Sequence, residues 1–479
     1  MKIALIASEA NPFAKTGGLA DVLGALSLAL ERLGHEIALI LPAHRSVLRG
    51  DYALQDSGMT VTVPVSERQE TATILTTTIG NDVTVYFIRA DKYFDREFLY
   101  GTPTADYSDN AERFVFFCRA ALEILNANPV DIVHGHDWQA ALAIVYLKTQ
   151  ADRYRAIAGA KTVFTIHNLA FQGLFDQRDW HLLNLDSEFY RPQYLEFYNH
   201  INFLKGALVL ADKITTVSLS YAQEVMTPEQ GFGLDGIMRQ RARDLVGILN
   251  GIDDNQWNPW TDPQISHRYG EHSVAIKVSC KNSLRQQVGL ADHGETPIVA
   301  MISRLTSQKG FDLVEQCFDQ LLQRDVQFML LGSGEPRYEQ YFRAASARYP
   351  GRVAVRIGFD EQLAHQIEAG ADLFLMPSLF EPCGLNQMYS LKYGTVPIVR
   401  AVGGLKDSVQ DYDPANRSGT GLVFTDYDAN SMLAAIDRGL AVYRNQADWT
   451  GLRRRAMAMD FSWERSARLY SDLYRGLLA

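Results

Sequence analysis

The chain opens with MKIALIASEANPFAKTGGLADVLGALSLALERLG, residues 1–34, and this stretch decides the fold. Residues 2–8 form a continuous apolar run, which is typical of a parallel strand covered on both faces. Residues 19–34 then change to a helical period, with apolar side chains on one stripe and Gly34 as a C-terminal stop. A strand, a glycine-containing turn and an amphipathic helix in that order predict the first unit of a doubly wound α/β domain.

The same alternation continues through the first half of the chain. Further strands are predicted at 36–41 and near 131–134, 162–166 and 213–217. An interruption in which polar and apolar residues alternate predicts inserted antiparallel strands at 60–64 and 73–89. The first half is therefore expected to form one α/β domain.

The pattern starts again near residue 297. A strand at 297–301 precedes a helix at 310–323, and more strands are predicted at 328–331 and near 353–357, 372–376 and 396–399. Turn formers concentrate at Asn250–Asp254 and Asn258–Trp260, which predicts the link between two α/β domains. The last predicted helix, at about 463–476, has no strand after it, so its residues leave open which domain it packs on.

Composition limits the partners. Hydrophobic residues make up 47% and charged residues 21%, which is typical of globular proteins. A length of 479 residues predicts two or three domains. The net charge of −10 argues against nucleic acid or anionic membrane as a partner. The first apolar run is too short for a signal peptide, and the four cysteines are scattered, so a cytoplasmic location with reduced thiols is expected.

In open parallel sheets ligands bind beyond the carboxyl ends of the strands, and two facing sheets would place a site between them. The loop after the first strand carries Lys15, Gly17 and Gly18. Glycines let the backbone approach a ligand closely, and the following helix offers free N–H groups to an anion. This loop is either a phosphate site or an ordinary strand–helix turn.

Arg304 and Lys309 follow the predicted strand at 297–301. Both can point beyond the strand end and stabilise the charge of a departing diphosphate; the alternative is two solvated surface cations. Glu381 precedes a helix that continues through Tyr393, where a carboxylate can bind sugar hydroxyls or simply cap the helix. Cys383 is interpreted as an inert thiol rather than a nucleophile, because nothing places a histidine beside it.

Histidines follow two other strands. His134 and His136 share one face of a strand, with Asp137 next in the chain. They form either a metal site or, as we prefer, a site that hydrogen-bonds a sugar, because no further ligands at metal spacing occur. His167 follows the strand at 162–166 and is either structural or functional. No obvious pair of acid and base carboxylates like that of glycosidases is found, which favours transfer from an activated donor.

Four motifs occur in one order: Lys15-Thr-Gly-Gly-Leu, His167-Asn168, Arg304 with Lys309-Gly310, and Glu381-Pro-Cys-Gly-Leu. In this combination the chain resembles the bacterial glycogen synthases and plant starch synthases, from residue 1 to about 470. The resemblance implies a GT-B fold of two Rossmann-like domains with a cleft between them. It implies a first domain at 1–247, with 457–479 packing back on it, and a second domain at 248–456.

The resemblance also implies a function. The expected activity is transfer of glucose from ADP-glucose to the non-reducing end of an α-1,4-glucan such as glycogen, with retention of the α configuration and with no metal or other cofactor. Donor contacts are implied for Lys15, Gly17, Gly18, Arg304, Lys309, Cys383, Gly384, Leu385 and Tyr389. Related transferases carry a glutamate at the position of Tyr389.

Catalytic and acceptor residues follow from the same resemblance. The catalytic set is His167, Glu381, Arg304 and Lys309. His167 is implied to lie by the reacting carbon, where its backbone carbonyl steadies the transition state, and Glu381 to contact the donor glucose. The implied acceptor and sugar-side residues are Glu9, Asp21, His136, Asp137 and Asn250.

Three alternatives stay open at this point: a GT-B transferase with a small-sugar acceptor, an inactive glucan-binding protein, and a metal hydrolase using His134 and His136. The residues leave open the choice between ADP and UDP, and also the oligomeric state.

Overall fold

The chain forms two compact units in a computed structural model that describes residues 1–102 and 104–479. The first unit is Met1–Gly251 together with Trp463–Ala479, and the second is Ile252–Ser462. Each unit is an α/β domain, so the predicted class of fold is correct.

The first unit begins with alternating strands and helices. Its strands are β1 Lys2–Ile6, β2 Glu36–Pro42, β3 Gln55–Val65, β4 Arg68–Ile79, β5 Val83–Arg89, β6 Ile132–His136, β7 Lys161–Ile166, β8 Leu174–Asp176, β9 Glu196–Phe197, β10 His200–Asn202, β11 Lys213–Thr216 and β12 Leu245–Gly247. Its helices up to residue 240 are α1 Gly18–Arg32, α2 Arg45–Arg49, α3 Asp91–Phe94, α4 Asn110–Ala127, α5 Asp137–Thr149, α6 Phe203–Leu210, α7 Leu219–Glu224 and α8 Asp235–Gln240, with short 3₁₀ turns at Arg155–Ile157, Gln177–Leu183 and Ser187–Phe189.

Among the described residues, nine strands of this unit form one sheet in the order β12-β11-β7-β6-β1-β2-β5-β4-β3. The pairs from β12 to β5 are parallel, while β4 pairs antiparallel with both β5 and β3. The predicted antiparallel insertion is therefore confirmed as one edge of this sheet. The predicted range 73–89 contains a turn at Gly80, with φ +62°, and covers the end of β4 and the whole of β5.

The second unit repeats the pattern. Its strands are β13 Ile298–Ile302, β14 Gln327–Gly332, β15 Val353–Ile357, β16 Leu373–Met376, β17 Val396–Arg400 and β18 Leu422–Phe424. Its helices are α9 Lys277–Val288, α10 Phe311–Leu322, α11 Pro336–Arg348, α12 Glu361–Gly370, α13 Asn386–Tyr393, α14 Gly403–Ser408, α15 Ala429–Arg444 and α16 Gln446–Met457, with 3₁₀ turns at Glu271–Ile276 and Ser307–Lys309.

The second sheet is parallel throughout, in the order β15-β14-β13-β16-β17-β18. Successive residues of β13 enter different cores: Val299 and Met301 join one buried cluster, and Ile298 and Ala300 join another. A strand covered on both faces must be apolar at every position, which explains its uninterrupted apolar sequence.

The last helix, α17 Trp463–Leu478, packs on the first unit, where Tyr470 and Tyr474 join the core with Leu23 of α1. The predicted boundaries at 247/248 and 456/457 differ from those observed at 251/252 and 462/463. Residues after β12 stay with the first unit because Leu249 accepts a hydrogen bond from Ser466, 2.6 Å away. Residues before α17 stay with the second because Ile252 N–H donates to Phe461 O at 2.8 Å.

A buried ion pair joins α9 to the start of β16 in the second unit. Lys281 Nζ lies 2.7 Å from Oδ2 of Asp372, and the two side chains are 5% and 9% exposed. The same oxygen accepts the N–H of Ile298 at 2.9 Å. Removing one charge therefore leaves the other buried without its partner in the ion pair.

We expect Asp372→Asn to destabilise the second unit by about 3 kcal/mol, because it leaves the Lys281 ammonium buried without the carboxylate that pairs with it. Urea denaturation measures the loss. The double variant Lys281→Met/Asp372→Asn removes both charges and should recover part of it. An unfolding midpoint of Asp372→Asn equal to that of the parent protein would contradict this account.

Candidate active site

Four loops lie side by side at the carboxyl edge of the second sheet, because β14, β13, β16 and β17 are neighbours in that order. Two of them bring together Lys309 and Glu381, which are far apart in sequence. Lys309 Nζ lies 2.5 Å from Oε2 of Glu381, and their side chains are 17% and 7% exposed. The hydroxyl of Ser378 donates to the same carboxylate oxygen at 3.2 Å. A nearly buried carboxylate is thus neutralised by one cation.

Glycines let these loops pack backbone to backbone. Gly310 has φ +78°, and a Cβ there would lie 2.2 Å from the carbonyl oxygen of Pro377. Gly403 has φ +42°, and a Cβ there would lie 2.0 Å from the carbonyl oxygen of Glu381. The next amide, Gly404 N–H, donates to that oxygen at 3.1 Å. The position of the Glu381 main chain is therefore fixed by contacts that only glycine permits.

Arg304 lies on the same loop as Lys309 and is exposed. The loop is held by main-chain hydrogen bonds on both sides of it, from Leu305 N–H to Ser333 O at 2.9 Å and from Glu335 N–H to Leu305 O at 2.8 Å. Across residues 1–102 and 104–479, no ion pair involves the Arg304 guanidinium. A guanidinium with five N–H donors and an ammonium with three together form a suitable site for a diphosphate.

The remaining predicted donor residues lie around α13. Cys383 is buried, Gly384 has φ +69°, and Leu385 immediately precedes the helix. The ring of Tyr389 is 9% exposed and stacks on Trp257, with 3.9 Å between centroids and 11° between planes. Tyr389 thus has one face covered by Trp257, which lies between the two turn-rich stretches assigned to the inter-domain link.

Phe359 is a residue that the sequence interpretation missed. It follows β15 at the same carboxyl edge of the sheet, and its side chain is 83% exposed. An aromatic ring in that position is available to stack on a nucleobase. The signal was present in the sequence, because the same search for side chains after strands identified Arg304 and Glu381.

The first unit presents a second set of loops, after the neighbouring strands β1, β6 and β7. Glu9, after β1, is a local anchor: its carboxylate accepts the N–H of Thr16 at 2.5 Å and that of Gly17 at 3.4 Å. The hydroxyl of Tyr100 donates to Glu9 at 2.7 Å. No sequence signal marked Tyr100, because it lies outside any regular element.

Lys15 and Asp21 form an ion pair with 2.7 Å between Nζ and Oδ1, and their side chains are 43% and 27% exposed. Gly17 precedes α1 and Gly18 begins it. A Cβ at Gly17 would meet no atom within 4 Å, so a ligand can approach the backbone there. The phosphate-binding interpretation of this loop is compatible with its geometry.

His136, Asp137 and His167 lie together at the ends of β6 and β7. Nδ1 of His136 is 3.0 Å from Nε2 of His167, and the N–H of His167 donates to Oδ1 of Asp137 at 2.8 Å. Burial raises the pKa of Asp137 to about 7 and lowers that of His167 to about 3. His136 is 0% exposed in this arrangement, and the direct contact with a sugar that the sequence leads us to expect stays a prediction.

Asn250 follows β12, at the same edge of the first sheet but farther from β1. It is 5% exposed, and its Oδ1 has no hydrogen-bond partner among the described residues. No group of three or more His, Cys, Asp or Glu side chains within those residues is arranged to hold a metal ion. None of the described helices is long and apolar enough to cross a membrane.

Comparison with known protein families gives a match in each half of the chain. The starch synthase catalytic domain matches residues 2–240, and the glycosyl transferases group 1 family matches residues 284–450. A glycogen synthase from Anaeromyxobacter sp. (strain Fw109-5) is 48% identical, with 100% of both chains covered. One from Geobacillus stearothermophilus is 45% identical, over 100% of this chain and 98% of the relative.

Solved structures agree with these matches. The catalytic domain of starch synthase IV from Arabidopsis thaliana, bound to ADP and acarbose, is 34% identical with a TM-score of 0.90, covering 99% of this chain and 98% of that one. Sucrose-phosphate synthase from Thermosynechococcus elongatus, at 18% identity and a TM-score of 0.63 over 100% and 99% of the chains, shares the fold. The predicted GT-B fold is confirmed, and the chain belongs to the glycogen synthase family of glycosyltransferases.

Proposed function

We propose that this protein is a glycogen synthase that transfers glucose from ADP-glucose to the non-reducing end of an α-1,4-glucan, with retention of the α configuration and without a metal ion. The observation that carries the proposal is the Lys309–Glu381 pair, with Arg304 on the same loop. It combines cations for a diphosphate with a carboxylate for a sugar. The names of the relatives and the ADP bound to the starch synthase support the same donor.

In the proposed reaction the bond between glucose C1 and the β-phosphate oxygen breaks, and a bond from C1 to a glucan hydroxyl oxygen forms. The hydroxyl proton leaves with the departing ADP. Arg304 and Lys309 stabilise the charge that develops on the diphosphate, which needs little protonation to leave. Glu381 orients the donor glucose through its hydroxyls, and the backbone carbonyl of His167 faces the positive charge that develops at C1.

The first unit is proposed to bind the glucan. Its candidate residues are mostly neutral or acidic: the rings of His136 and His167 are uncharged at pH 7, because burial lowers the pKa of both. Neutral hydroxyls suit such a surface better than phosphates do. Phe359 is proposed to stack on the nucleobase. A cytoplasmic location belongs to the same proposal and rests on the scattered, reduced cysteines.

The direct test is incorporation of labelled glucose into glycogen, with ADP-glucose and UDP-glucose run in parallel in the presence of EDTA. We expect strong incorporation from ADP-glucose. Incorporation from UDP-glucose alone would make UDP-glucose the donor in place of ADP-glucose. Loss of activity in EDTA would contradict metal independence. No incorporation from either donor would favour a small-sugar acceptor or an inactive glucan-binding protein.

Arg304→Ala and Lys309→Ala should each lower kcat by about a hundredfold or more, because each removes a partner of the departing diphosphate. Arg343→Ala is the matched control, since Arg343 is an exposed arginine on α11 of the same unit. Steady-state kinetics with ADP-glucose measure the effect. Near-normal turnover in both site variants would show that Arg304 and Lys309 do not stabilise the departing diphosphate.

Activity should fall as the pH drops through about 7, because the pKa of Asp137 is raised to that value by burial. Below it the side chain is increasingly protonated, and the neutral acid accepts the N–H of His167 more weakly than the carboxylate does. The pH profile of kcat measures this. Asp137→Asn, which cannot titrate, should lack the acidic limb; the same limb in that variant would show that another group is responsible.

A further inference from the structure

Buried side chains connect the C-terminal helix to His167 in the first unit. The hydroxyl of Tyr474, on α17, lies 2.7 Å from Nδ1 of His134. Nε2 of His134 lies 2.6 Å from Oγ1 of Thr165. The ring of His134 packs on that of His136, with 4.0 Å between centroids and 32° between planes. His136 in turn contacts His167. The contacts are therefore continuous from Tyr474 to His167.

Only one end of this chain of contacts is accessible. Tyr474, His134, His136 and Thr165 are each 0% exposed, whereas His167 is half-buried. The four buried side chains therefore cannot touch a substrate in this arrangement. Any effect that they have on the reaction must pass through the position of His167.

The hydrogen bonds fix where the ring protons lie. Burial lowers the pKa of His134, His136 and His167, so all three rings are neutral at pH 7 and each carries one proton. Nε2 of His136 is buried without a partner among the described residues, and an unpaired N–H in such a place is rarer than an unpaired acceptor. The proton of His136 thus belongs on Nδ1, which donates to Nε2 of His167. The proton of His167 is then on its Nδ1.

The same reasoning applies at the other end. Within the described residues, His134 is the hydrogen-bond partner of the Tyr474 hydroxyl, so the hydroxyl uses its proton there. His134 then carries its own proton on Nε2 and donates to Thr165, whose hydroxyl lies 2.5 Å from that of Thr215. His134 is therefore held at both nitrogens, and its ring is a fixed surface against which His136 packs.

We propose that Tyr474, His134 and His136 are positioning residues for His167. They hold its ring in one orientation and one tautomer, while Asp137 holds its main-chain N–H. On this account the C-terminal helix contributes to turnover through a single hydroxyl group. The inference rests on the proposed function, which places the backbone carbonyl of His167 beside the reacting carbon. Because a side-chain rotamer is coupled to the backbone torsions, a ring held in one orientation also restricts the direction of that carbonyl.

The test is Tyr474→Phe, with Tyr146→Phe as the matched control. Tyr146 is also fully buried in the first unit and donates one hydrogen bond, to Leu183 O at 3.0 Å. Both variants lose one buried hydroxyl and should lose similar thermal stability. We expect kcat to fall about tenfold in Tyr474→Phe only, with the KM for ADP-glucose unchanged, because the loss is one of orientation and not of donor binding.

Equal kcat values for the two variants would overturn the inference. It would leave the proposed function intact, since that is judged by the glucose incorporation of the parent protein. A second pair, His136→Asn and His136→Leu, separates the hydrogen bond from the packing. The amide of Asn can occupy the place of Nδ1 and should retain more activity than Leu; equal activity of the two would also overturn the inference.

A measurement on the unaltered protein keeps the inference testable even if these variants fail to fold. The ¹⁵N spectrum of histidine-labelled protein distinguishes the two tautomers of a neutral imidazole. With His167 assigned from the difference spectrum of His167→Gln, we expect its Nδ1 to be protonated and its Nε2 to be an acceptor. The opposite tautomer would show that His136 does not donate to His167 and would overturn the inference.

Discussion

The buried carboxylate of Glu381 needs a positive partner, and the proposed donor site is built around that partner, Lys309. A carboxylate that is 7% exposed is costly unless it is paired, and Lys309 meets that requirement from a different loop. The ion pair therefore fixes the distance between the loops after β13 and β16. The close contacts of Gly310 and Gly403 hold the same loops at the backbone, so side-chain charge and glycine geometry reinforce each other.

The two units differ in the kind of charge that they offer. The second unit places an exposed guanidinium and an ammonium at one sheet edge, which suits a diphosphate. The first unit places uncharged histidines beside Asp137, whose raised pKa reflects how far that carboxyl is removed from water. This division is what a transfer between an anionic donor and a neutral polymer requires. It also explains why an acidic protein can use an anionic substrate: the necessary cations are local.

Much of the fold could be predicted from the sequence, because parallel strands covered on both faces leave long apolar runs. The strand predicted near 353–357 is β15, Val353–Ile357, and the predicted order of two α/β domains is correct. Lys309 and Glu381 could be chosen as site residues because each follows a strand. Their mutual contact could not be predicted, because the two residues are 72 apart in sequence and only the sheet order brings their loops together.

What the sequence could not show has the same origin. His136 could be chosen because it shares a strand face with His134, but its enclosure by His134 and His167 could not be read from sequence periodicity. Trp257, which the sequence interpretation did not single out, packs between the rings of His365 and Tyr389 at 3.8 and 3.9 Å. Tyr474 carried no sequence signal beyond an amphipathic helix. Side chains that act through others are defined by three-dimensional neighbours, and a one-dimensional pattern records only their polarity.

The central claim is that Lys309 serves two anions, the carboxylate of Glu381 and the phosphates of the donor. A crystal structure of the complex with ADP tests it most directly. We expect the β-phosphate within hydrogen-bonding distance of Lys309 Nζ and of the Arg304 guanidinium, with the Glu381 carboxylate beside the phosphate on the side where glucose is attached. A diphosphate bound elsewhere, with Lys309 still engaged only by Glu381, would contradict the account.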